Sequence, residues 1–328
     1  WMRDKKDHYE YIARYVDDLA IISKNPQSIA DAFSKRYQLK LKGSGPINYH
    51  LGSDFYRDNT GTLCMSPTKY ITRMMDNYER MFGSKPKATY SSPLEKGDHP
   101  ELDTSKELND EDIKKYQSLI GALQWIIILG RLDIATAVMT MSSFRVAPRQ
   151  GHLDRVKRIY GYLAKMKHGA IRFRTGAPDF SAIPLTEYDW ERSIYGKVEE
   201  LTPDDAPIPR GPLVTITTYV DANLCHDMIT GRSVTGILHL LNKSIIDYYT
   251  KKQPRVETAT YGSEYMAART ATEQIMELRT SLRYLGVNIS GPAYMFGDNS
   301  TVVNSSNTPK ARLHKRHVIL SFHRVREA

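Results

Sequence analysis

A proline-rich segment divides the chain. Of the features of the sequence, this segment limits most strongly how the chain can fold. Residues 175–212 carry six prolines together with a cluster of acidic residues between Glu187 and Asp205. Because proline fixes φ and lacks a backbone N–H, this density of prolines is incompatible with a continuous helix or a central strand. We therefore predict a linker at residues 175–212, with separate folding units before and after it.

The composition indicates a globular protein that favours a polyanionic partner. The chain has 328 residues, of which 41% are hydrophobic, and can bury a core in two or three domains. Its net charge of +9 and sequence pI near 9.3 favour nucleic acid among possible partners. Cys64 and Cys225 lie far apart without metal-ligand spacing, which predicts neither a zinc site nor disulfides and fits a reducing compartment.

No segment of the sequence predicts membrane insertion or secretion. The longest apolar run, near residues 125–130, falls far short of the ~18 residues of a membrane-spanning helix. No signal peptide precedes the first motif, and the chain opens on Trp1. We expect no membrane partner, and we expect the chain to be a fragment of a longer protein.

Two aspartates stand near the start of the chain between apolar stretches. Residues 9–16 and 19–23 are β-rich and flank Asp17 and Asp18, which predicts a hairpin with both acids at its tip. Asn25 followed by proline then predicts the start of a short helix that reaches about residue 37. On this pattern alone, turn chemistry is the commoner reason for such a pair.

The rest of the first part is predicted to be a hairpin followed by helices. The signals, in order, are a turn at residues 58–61, a helix capped by Ser66 and Pro67 and ended by Gly83, a polar loop at 84–108, and a mostly helical region at 109–167 interrupted near Gly130 and Pro148.

After the linker the pattern changes to strands, a long helix, a strand and a helix. Strands are predicted at residues 213–220, 234–241, 245–249 and 293–296. Apolar residues at alternating steps of three and four predict a helix that stops at Gly286, with an inner face formed by Ala268, Ala271, Ile275, Leu278, Leu282 and Leu285. This order predicts an α+β or α/β unit.

Three acids of this last unit are predicted to converge. Asp221 ends the first strand, Glu264 lies at the start of the long helix, and Asp298 follows a later strand. Converging carboxylates repel one another unless a cation lies between them, and Mg²⁺ prefers such oxygen ligands. In two-metal sites these clusters promote phosphodiester cleavage. Spacing alone leaves open that each acid is only an exposed turn or helix-end residue.

The flanking sequences resemble a known family. The motif YVDDL, at residues 15–19, is similar to the palm hairpin motif of reverse transcriptases. Further segments resemble copia-like retrotransposon Pol polyproteins, in order along the chain: INYHLGSDFYRDNTGTLCMSPTKYITRMM, YQSLIGALQWI, GRLDIATAVMTMSSF, VKRIYGYLAKMKHG, YVDAN, GRSVTG, KKQP, GSEYMAA and GDNSTVV. The ordered set indicates the C-terminal part of such a reverse transcriptase together with its RNase H domain.

The resemblance implies an α+β fold built from two known units. A partial reverse transcriptase palm would cover residues 1–83 and a helical thumb or connection residues 84–174. After the linker at 175–212, an RNase H-like α/β domain with a mixed sheet would cover residues 213–328. The implied reactions are RNA-directed DNA synthesis and hydrolysis of RNA in RNA:DNA hybrids.

The resemblance also implies roles for individual residues. Asp17 and Asp18 match the paired palm acids that hold the catalytic metals. Asp221, Glu264 and Asp298 match three of the four RNase H carboxylates, with Mg²⁺ or Mn²⁺ as the cofactor. Leu51 and Gly52 match the primer-grip turn, which positions a primer terminus.

A basic helix after residue 149 offers a candidate nucleic-acid surface. Residues 149–174 contain eight Lys or Arg residues and one acid. The side chains expected to be available to solvent are Arg155, Lys157, Arg158, Lys165 and Lys167. They predict contacts to the phosphates of a duplex, with a merely solvated helix face as the alternative. Tyr160 and Tyr162 are expected to pack rather than to stack on bases.

The sequence departs from the family pattern at three places, one of which is the segment 175–212, longer than the family's usual tether. The family's further palm aspartate and its fingers precede YVDDL, but only sixteen residues precede Asp17 here, so polymerisation and dNTP binding would need that region to be supplied. Ile319 stands where the fourth RNase H acid is expected, with His314 and His317 nearby. The two hypotheses are an enzyme fragment that binds primer-template and RNA:DNA hybrid, and a catalytically inactive nucleic-acid-binding remnant.

Two further expectations complete this interpretation. An integrase or transposase of the same fold is disfavoured because YVDDL lies upstream and no zinc-binding segment is found. The expected location is the cytoplasm, in virus-like particles, together with the nucleus.

Overall fold

We describe the protein from a computed structural model. The structure describes residues 1–38, 41–184, 186–196, 199–289, 291–313 and 315–328. Within these ranges the chain forms three small sheets and eight α-helices, a mixed α+β architecture in agreement with the predicted class. None of these helices combines the length and apolar character needed to cross a bilayer.

The first sheet contains three antiparallel strands in the order β1-β2-β3 and carries one helix. Its elements are β1 Met2–Asp4, β2 Tyr9–Tyr15, β3 Asp18–Ile22 and α1 Pro26–Tyr37. The side chain of Asn25 accepts the backbone N–H of Ser28 at 3.2 Å, with proline at the first helical position. The predicted hairpin and the predicted helix start are therefore confirmed.

The second sheet and four helices form the middle of the chain. The elements are β4 Tyr49–His50, β5 Ser53–Arg57, β6 Leu63–Ser66, α2 Thr68–Phe82, α3 Asp110–Ile128, α4 Ala135–Ser142, α5 Gln150–Lys165 and β7 Ile171–Arg172. Strand β7, which follows α5 in the sequence, pairs with β6, and Met65 lies opposite Ile171. The helices enclose the largest core, which includes the fully buried Tyr116, Ile120, Leu123, Met141, Ile159 and Leu163.

The two predicted ends of α2 have different outcomes. Gly83 adopts a left-handed conformation, with φ of +71°, and donates its N–H to the carbonyl of Glu79, as predicted. At the other end, Pro67 occupies the N-cap position as predicted, but the prediction of Ser66 as a cap is wrong. Its hydroxyl instead donates to the carbonyl of Gly169 at 2.9 Å, because β6 is covered by the segment that leads into β7.

The third sheet is mixed and has the strand order β10-β9-β8-β11. The elements of this region are β8 Ile216–Asn223, β9 Arg232–Leu241, β10 Ser244–Val256, α6 Thr260–Tyr284, β11 Tyr294–Phe296, α7 Ser300–Asn307 and α8 Ile319–Glu327. Strand β8 is antiparallel to β9 and parallel to β11. The inner face of α6 includes the buried residues Ala268, Ala271, Ile275 and Leu282. Leu285 was predicted on that face but is 46% exposed, because α6 ends one residue before it.

The segment predicted as a linker lies against the third sheet and its helices. The ring of Phe180 packs 4.6 Å from that of Tyr294 on β11. Glu200 forms ion pairs with Arg279 at 2.6 Å and with Arg283 at 2.5 Å on α6, and these hold the pKa of its carboxyl down, at about 2. The described part of residues 175–212 contains no helix or strand, yet its side chains anchor it to the last unit.

The first sheet also contacts the last unit. The hydroxyl of Tyr9 donates to the carbonyl of Ile208 at 2.8 Å, and that of Tyr11 to the carbonyl of Leu285 at 2.6 Å. Gly286 has a φ of +65°, and a Cβ there would collide with the ring of Tyr9. The hairpin with the two aspartates is thus seated beside the C-terminal end of α6, in a different sheet from β4–β7.

Candidate active site and nucleic-acid surface

Three carboxylates meet at one edge of the third sheet. Asp221 lies on β8 and Asp298 lies two residues beyond β11. Tyr219 on β8 lies opposite Phe296 on β11 in the parallel pairing of these strands. Each acid comes two residues after its member of this pair, so both lie at the same edge of the sheet. Glu264 reaches them from the start of α6. Ligand oxygens of the three residues lie within 4.8 Å of one another.

The electrostatics of this acid triad favour a bound cation. Glu264 is only 5% exposed, whereas Asp221 and Asp298 are exposed to solvent. Burial, together with the neighbouring charges of Asp221 and Asp298, raises the pKa of Glu264 to about 7, against the opposing effect of a hydrogen bond from the Ala222 backbone. Three acids this close fit a hard divalent cation such as Mg²⁺ or Mn²⁺, which prefers oxygen ligands.

The fourth acid of the family pattern has no counterpart in the described cluster. Ile319 begins α8 and is 45% exposed. The imidazole of His317 lies 2.7 Å from the carboxylate of Glu257, which is buried just before α6. Among the described residues the cluster contains only the three predicted acids, so His317 does not replace the fourth. His314 lies outside the described residues.

The partnership between Glu257 and His317 was missed in the sequence. The two residues are 60 positions apart. Gly262 makes room for the Glu257 carboxylate, since a Cβ at that glycine would overlap it. No local pattern signals such a pair, because it arises only when the short 3-10 turn just before α8 packs beside the start of α6.

Asp17 and Asp18 lie at the tip of the first hairpin, as predicted. Val16 and Asp17 form the turn, where Val16 has a φ of +50°, and Asp18 begins β3. Both aspartates are exposed, and neither carboxylate makes a hydrogen bond or ion pair with another described residue. Within the described chain no third acid joins them in a cluster. Their metal-binding role remains a prediction.

Leu51 and Gly52 form a two-residue turn between β4 and β5. Both have positive φ, +51° and +95°, a conformation that favours glycine. A Cβ on Gly52 would lie 3.1 Å from a methyl group of Leu129 at the end of α3. The turn is therefore packed against the helical core. Its role in positioning a primer remains a prediction.

The basic helix α5 is less available than predicted. Arg155 donates to both carboxylate oxygens of Asp98, each at 2.8 Å, and to Asp103 at 2.7 Å. Arg158 pairs with Glu95 at 2.6 Å and lies over the ring of Tyr90, with 19% of its side chain exposed. The expectation that these two guanidinium groups are free is wrong, because the loop before α3 supplies acids that cover them.

The three lysines differ among themselves. Lys157 lies over the ring of Phe82, and Lys165 donates to the carbonyl of Thr89 and the hydroxyl of Ser91. Lys167, just beyond α5, is exposed, and its side chain makes no hydrogen bond or ion pair with a described residue. The predicted packing of Tyr160 and Tyr162 is confirmed by their 1% and 9% exposure.

Comparison with known proteins places these observations in a family context. No protein-family model matches the chain. It is 26% identical over 335 residues to the retrovirus-related Pol polyprotein from transposon TNT 1-94 of Nicotiana tabacum, an alignment covering 99% of this chain and 22% of that relative. It is 24% and 23% identical over 319 residues to the corresponding polyproteins from transposons RE1 and RE2 of Arabidopsis thaliana, covering 96% of this chain and 19% of each relative.

These alignments extend over nearly the whole chain but only part of each relative. The chain spans about a fifth of the length of the curated relatives it matches. The motifs read from the sequence agree with these alignments over nearly the whole of this chain. The chain is accordingly a distant homologue, over nearly its full length, of copia-type retrotransposon Pol polyproteins.

Proposed function

We propose that residues 213–328 form a ribonuclease H unit that cleaves the RNA strand of an RNA:DNA hybrid. The observation that carries this proposal is the convergence of Asp221, Glu264 and Asp298 within 4.8 Å at the sheet edge. The homology to Pol polyproteins, which carry enzymatic domains, supports it.

The chemistry follows from the donor set. A divalent metal bound by these carboxylates would activate water and stabilise the leaving oxygen of a phosphodiester. Asp221 and Asp298 are exposed, so they are open to an entering phosphate, whereas Glu264 is held in place by burial and by the Ala222 backbone. The site thus combines one fixed ligand with two accessible ones.

For the first part of the chain we propose a partial reverse transcriptase. Residues 1–83 would supply the palm hairpin with Asp17 and Asp18, and residues 84–174 the thumb. The described acids do not complete a metal site at the hairpin, which supports a requirement for a further palm aspartate. Primer-template binding and nucleotide addition would therefore need an added upstream segment.

One assay tests the nuclease proposal directly. The purified chain is given a labelled RNA:DNA hybrid with Mg²⁺ or Mn²⁺, beside Asp221→Asn as the inactive control. Metal-dependent RNA cleavage above that control is expected. Cleavage equal to the control would defeat the proposal. Primer extension without an added upstream segment would contradict the palm interpretation.

A second candidate function is a catalytically inactive nucleic-acid-binding remnant. The specific observation in its favour is Ile319, a side chain without ligand atoms, where the resemblance expects the fourth acid. This candidate predicts salt-sensitive binding of the hybrid without cleavage in either metal. The same assay, combined with a binding measurement, separates the two functions.

A further inference from the structure

We propose that a basic cleft between the second and third sheets binds the phosphodiester backbone of a nucleic acid. The cleft has a volume of about 390 Å³, and its charged lining consists of four cations, Arg131, Arg172, Arg174 and Lys243, and one acid, Asp133. This inference rests on the proposed function, since it assigns a second surface to the same partner.

The walls of the basic cleft are held by both sheets. The backbone N–H of Phe173 donates to the carbonyl of Leu63 on β6 at 2.9 Å. The carbonyl of Arg174 accepts the hydroxyl of Ser244 at 2.9 Å and the backbone N–H of Lys243 at 3.3 Å. The backbone that carries Arg172, Arg174 and Lys243 is therefore tied to both sheets.

The cations differ in how far they are already paired. Arg131 has a side chain only 3% exposed and makes two hydrogen bonds to Asp133, so its charge is largely compensated. Arg172 is 55% exposed and 3.6 Å from Asp58. The exposed side chains of Arg174 and Lys243 make no hydrogen bond or ion pair with a described residue, although Lys243 lies within electrostatic reach of Asp179.

The charge of the cleft continues along the preceding turn. Residues 166–174 contain Lys167, Arg172 and Arg174 and no acid. In contrast, Arg155 and Arg158 on α5 are covered by acids of the same chain. The two arginines of α5 are therefore compensated within the chain, whereas Lys167, Arg172 and Arg174 beyond that helix are exposed.

The position of the cleft suits a partner that also reaches the acid triad. Asn242, next to Lys243, accepts the backbone N–H of Thr215, just before β8. Asp221 lies six residues after Thr215 on the same chain segment, a distance of roughly 20 Å at about 3.3 Å per strand residue. That span equals roughly six base-pair steps at about 3.4 Å of rise along the axis of a duplex. Contacts from Arg and Lys to backbone phosphates position a protein on nucleic acid without reading its sequence, which suits several cations around an open cleft.

The test removes the three exposed charges and measures binding without turnover. The variant Arg172→Gln/Arg174→Gln/Lys243→Gln is titrated with a labelled RNA:DNA hybrid in EDTA at several salt concentrations. We expect affinity to fall about tenfold or more, and the slope of log K against log salt to become shallower by about two to three, since each lost phosphate contact contributes about one. Thermal melting checks that the variant is folded.

A matched control removes the same charge elsewhere. Lys85→Gln/Lys114→Gln/Arg192→Gln changes three exposed cations, of which Arg192 lies 3.6 Å from Asp189 as Arg172 does from Asp58. This control is expected to retain the wild-type salt slope. If the cleft variant melts early, Arg174→Gln/Lys243→Gln replaces it, because neither side chain has an ion-pair partner among the described residues.

The outcomes separate this inference from the nuclease proposal. Loss of binding in the cleft variant supports the cleft even if the wild type cleaves nothing. Equal binding by the cleft variant and the wild type overturns it, even if the wild type cleaves the hybrid. Weakened binding of inorganic phosphate with unchanged hybrid binding would also overturn it, because the cleft would then accept small anions.

Discussion

The first hairpin and the edge of the third sheet both carry acids, but among the described residues only those at the sheet edge form a cluster. Asp17 in the turn and Asp18 at the start of β3 are adjacent and exposed at one hairpin tip. Asp221, Glu264 and Asp298 come from two strands and a helix, and their oxygens lie within 4.8 Å. Two adjacent acids on one hairpin need a further ligand from another element to complete a metal site. Acids from three packed elements are held close together by the fold, despite their mutual repulsion.

The largest expected effect is on RNA cleavage by variants of the acid triad. Asp298→Asn keeps the size of the side chain but removes a charged ligand, so we expect cleavage of a labelled RNA:DNA hybrid to fall by at least about 100-fold, or roughly 3 kcal/mol of transition-state stabilisation. Asp76→Asn, an exposed acid on α2, serves as the control. A comparable loss in that control would show that the effect is not specific to the cluster.

The next effect is a dependence of the free energy of unfolding on pH in the absence of metal. The pKa of Glu264 is about 7 when folded, above its ordinary value of 4.5, so the folded state holds this proton more tightly. This contribution, roughly 3 kcal/mol, is fully present below pH 4.5 and is lost as pH rises through about 7. Denaturant melts in EDTA at several pH values measure it.

Glu264→Gln should flatten this dependence of the unfolding free energy on pH. Mg²⁺ should stabilise the wild type more at about pH 8 than at about pH 5.5, because the metal binds the ionised acids. Asp17→Asn/Asp18→Asn should leave that Mg²⁺-dependent shift in place. If the double variant abolished it, the contrast between the two acidic sites would fail.

A smaller effect on the free energy of unfolding is expected when an arginine of α5 is compared with an arginine of the basic cleft. Arg155→Met leaves Asp98 and Asp103 unpaired, and these carboxylates are 15% and 9% exposed, so the unfolding free energy should fall by about 2 kcal/mol. Arg174→Met, with no internal ion pair among the described residues, should change it by less than about 0.5 kcal/mol. Equal destabilisation of both variants would contradict the distinction between structural and available cations.

The smallest expected effect comes from restoring the fourth acid. Ile319→Asp places a carboxylate at the start of α8, where the side chain is 45% exposed and little core packing is lost. We expect the Mg²⁺ concentration that gives half-maximal cleavage to fall by up to about tenfold, or 1.4 kcal/mol. Ile319→Asn, which is polar but uncharged, is the control and should not show this gain.

Much of the local structure could be predicted from the sequence. Asn25 and Pro26 signalled the start of α1, and Gly83 the end of α2, because capping depends on residues within one or two turns. The three acids of the triad were also predicted, since each lies in or just after an element that its own neighbours define, although Asp221 lies inside β8 rather than at its end. Leu285 was misplaced because a helical period does not reveal the residue at which a helix ends.

Contacts between residues far apart in the chain could not be predicted from the sequence. Arg155 was expected to face solvent, but Asp98 lies 57 positions earlier and is brought over it by the loop before α3. The same holds for Glu257 and His317, and for β7, which joins β6 from about a hundred residues away. The proline-rich segment was correctly predicted to lack helix and strand within its described residues, but not to be anchored by Phe180 and Glu200.

By itself the sequence determined which residues could do chemistry. The types and order of its motifs specified carboxylates, turn glycines and basic residues, because these depend on side-chain chemistry and local backbone preference. Only the tertiary structure decided which charges are free. Burial sets the pKa of Glu264, acids from a distant loop compensate Arg155, and the join of two sheets gathers Arg172, Arg174 and Lys243 around one cleft. Electrostatic energy depends on distance and burial in space, which spacing along the chain does not contain.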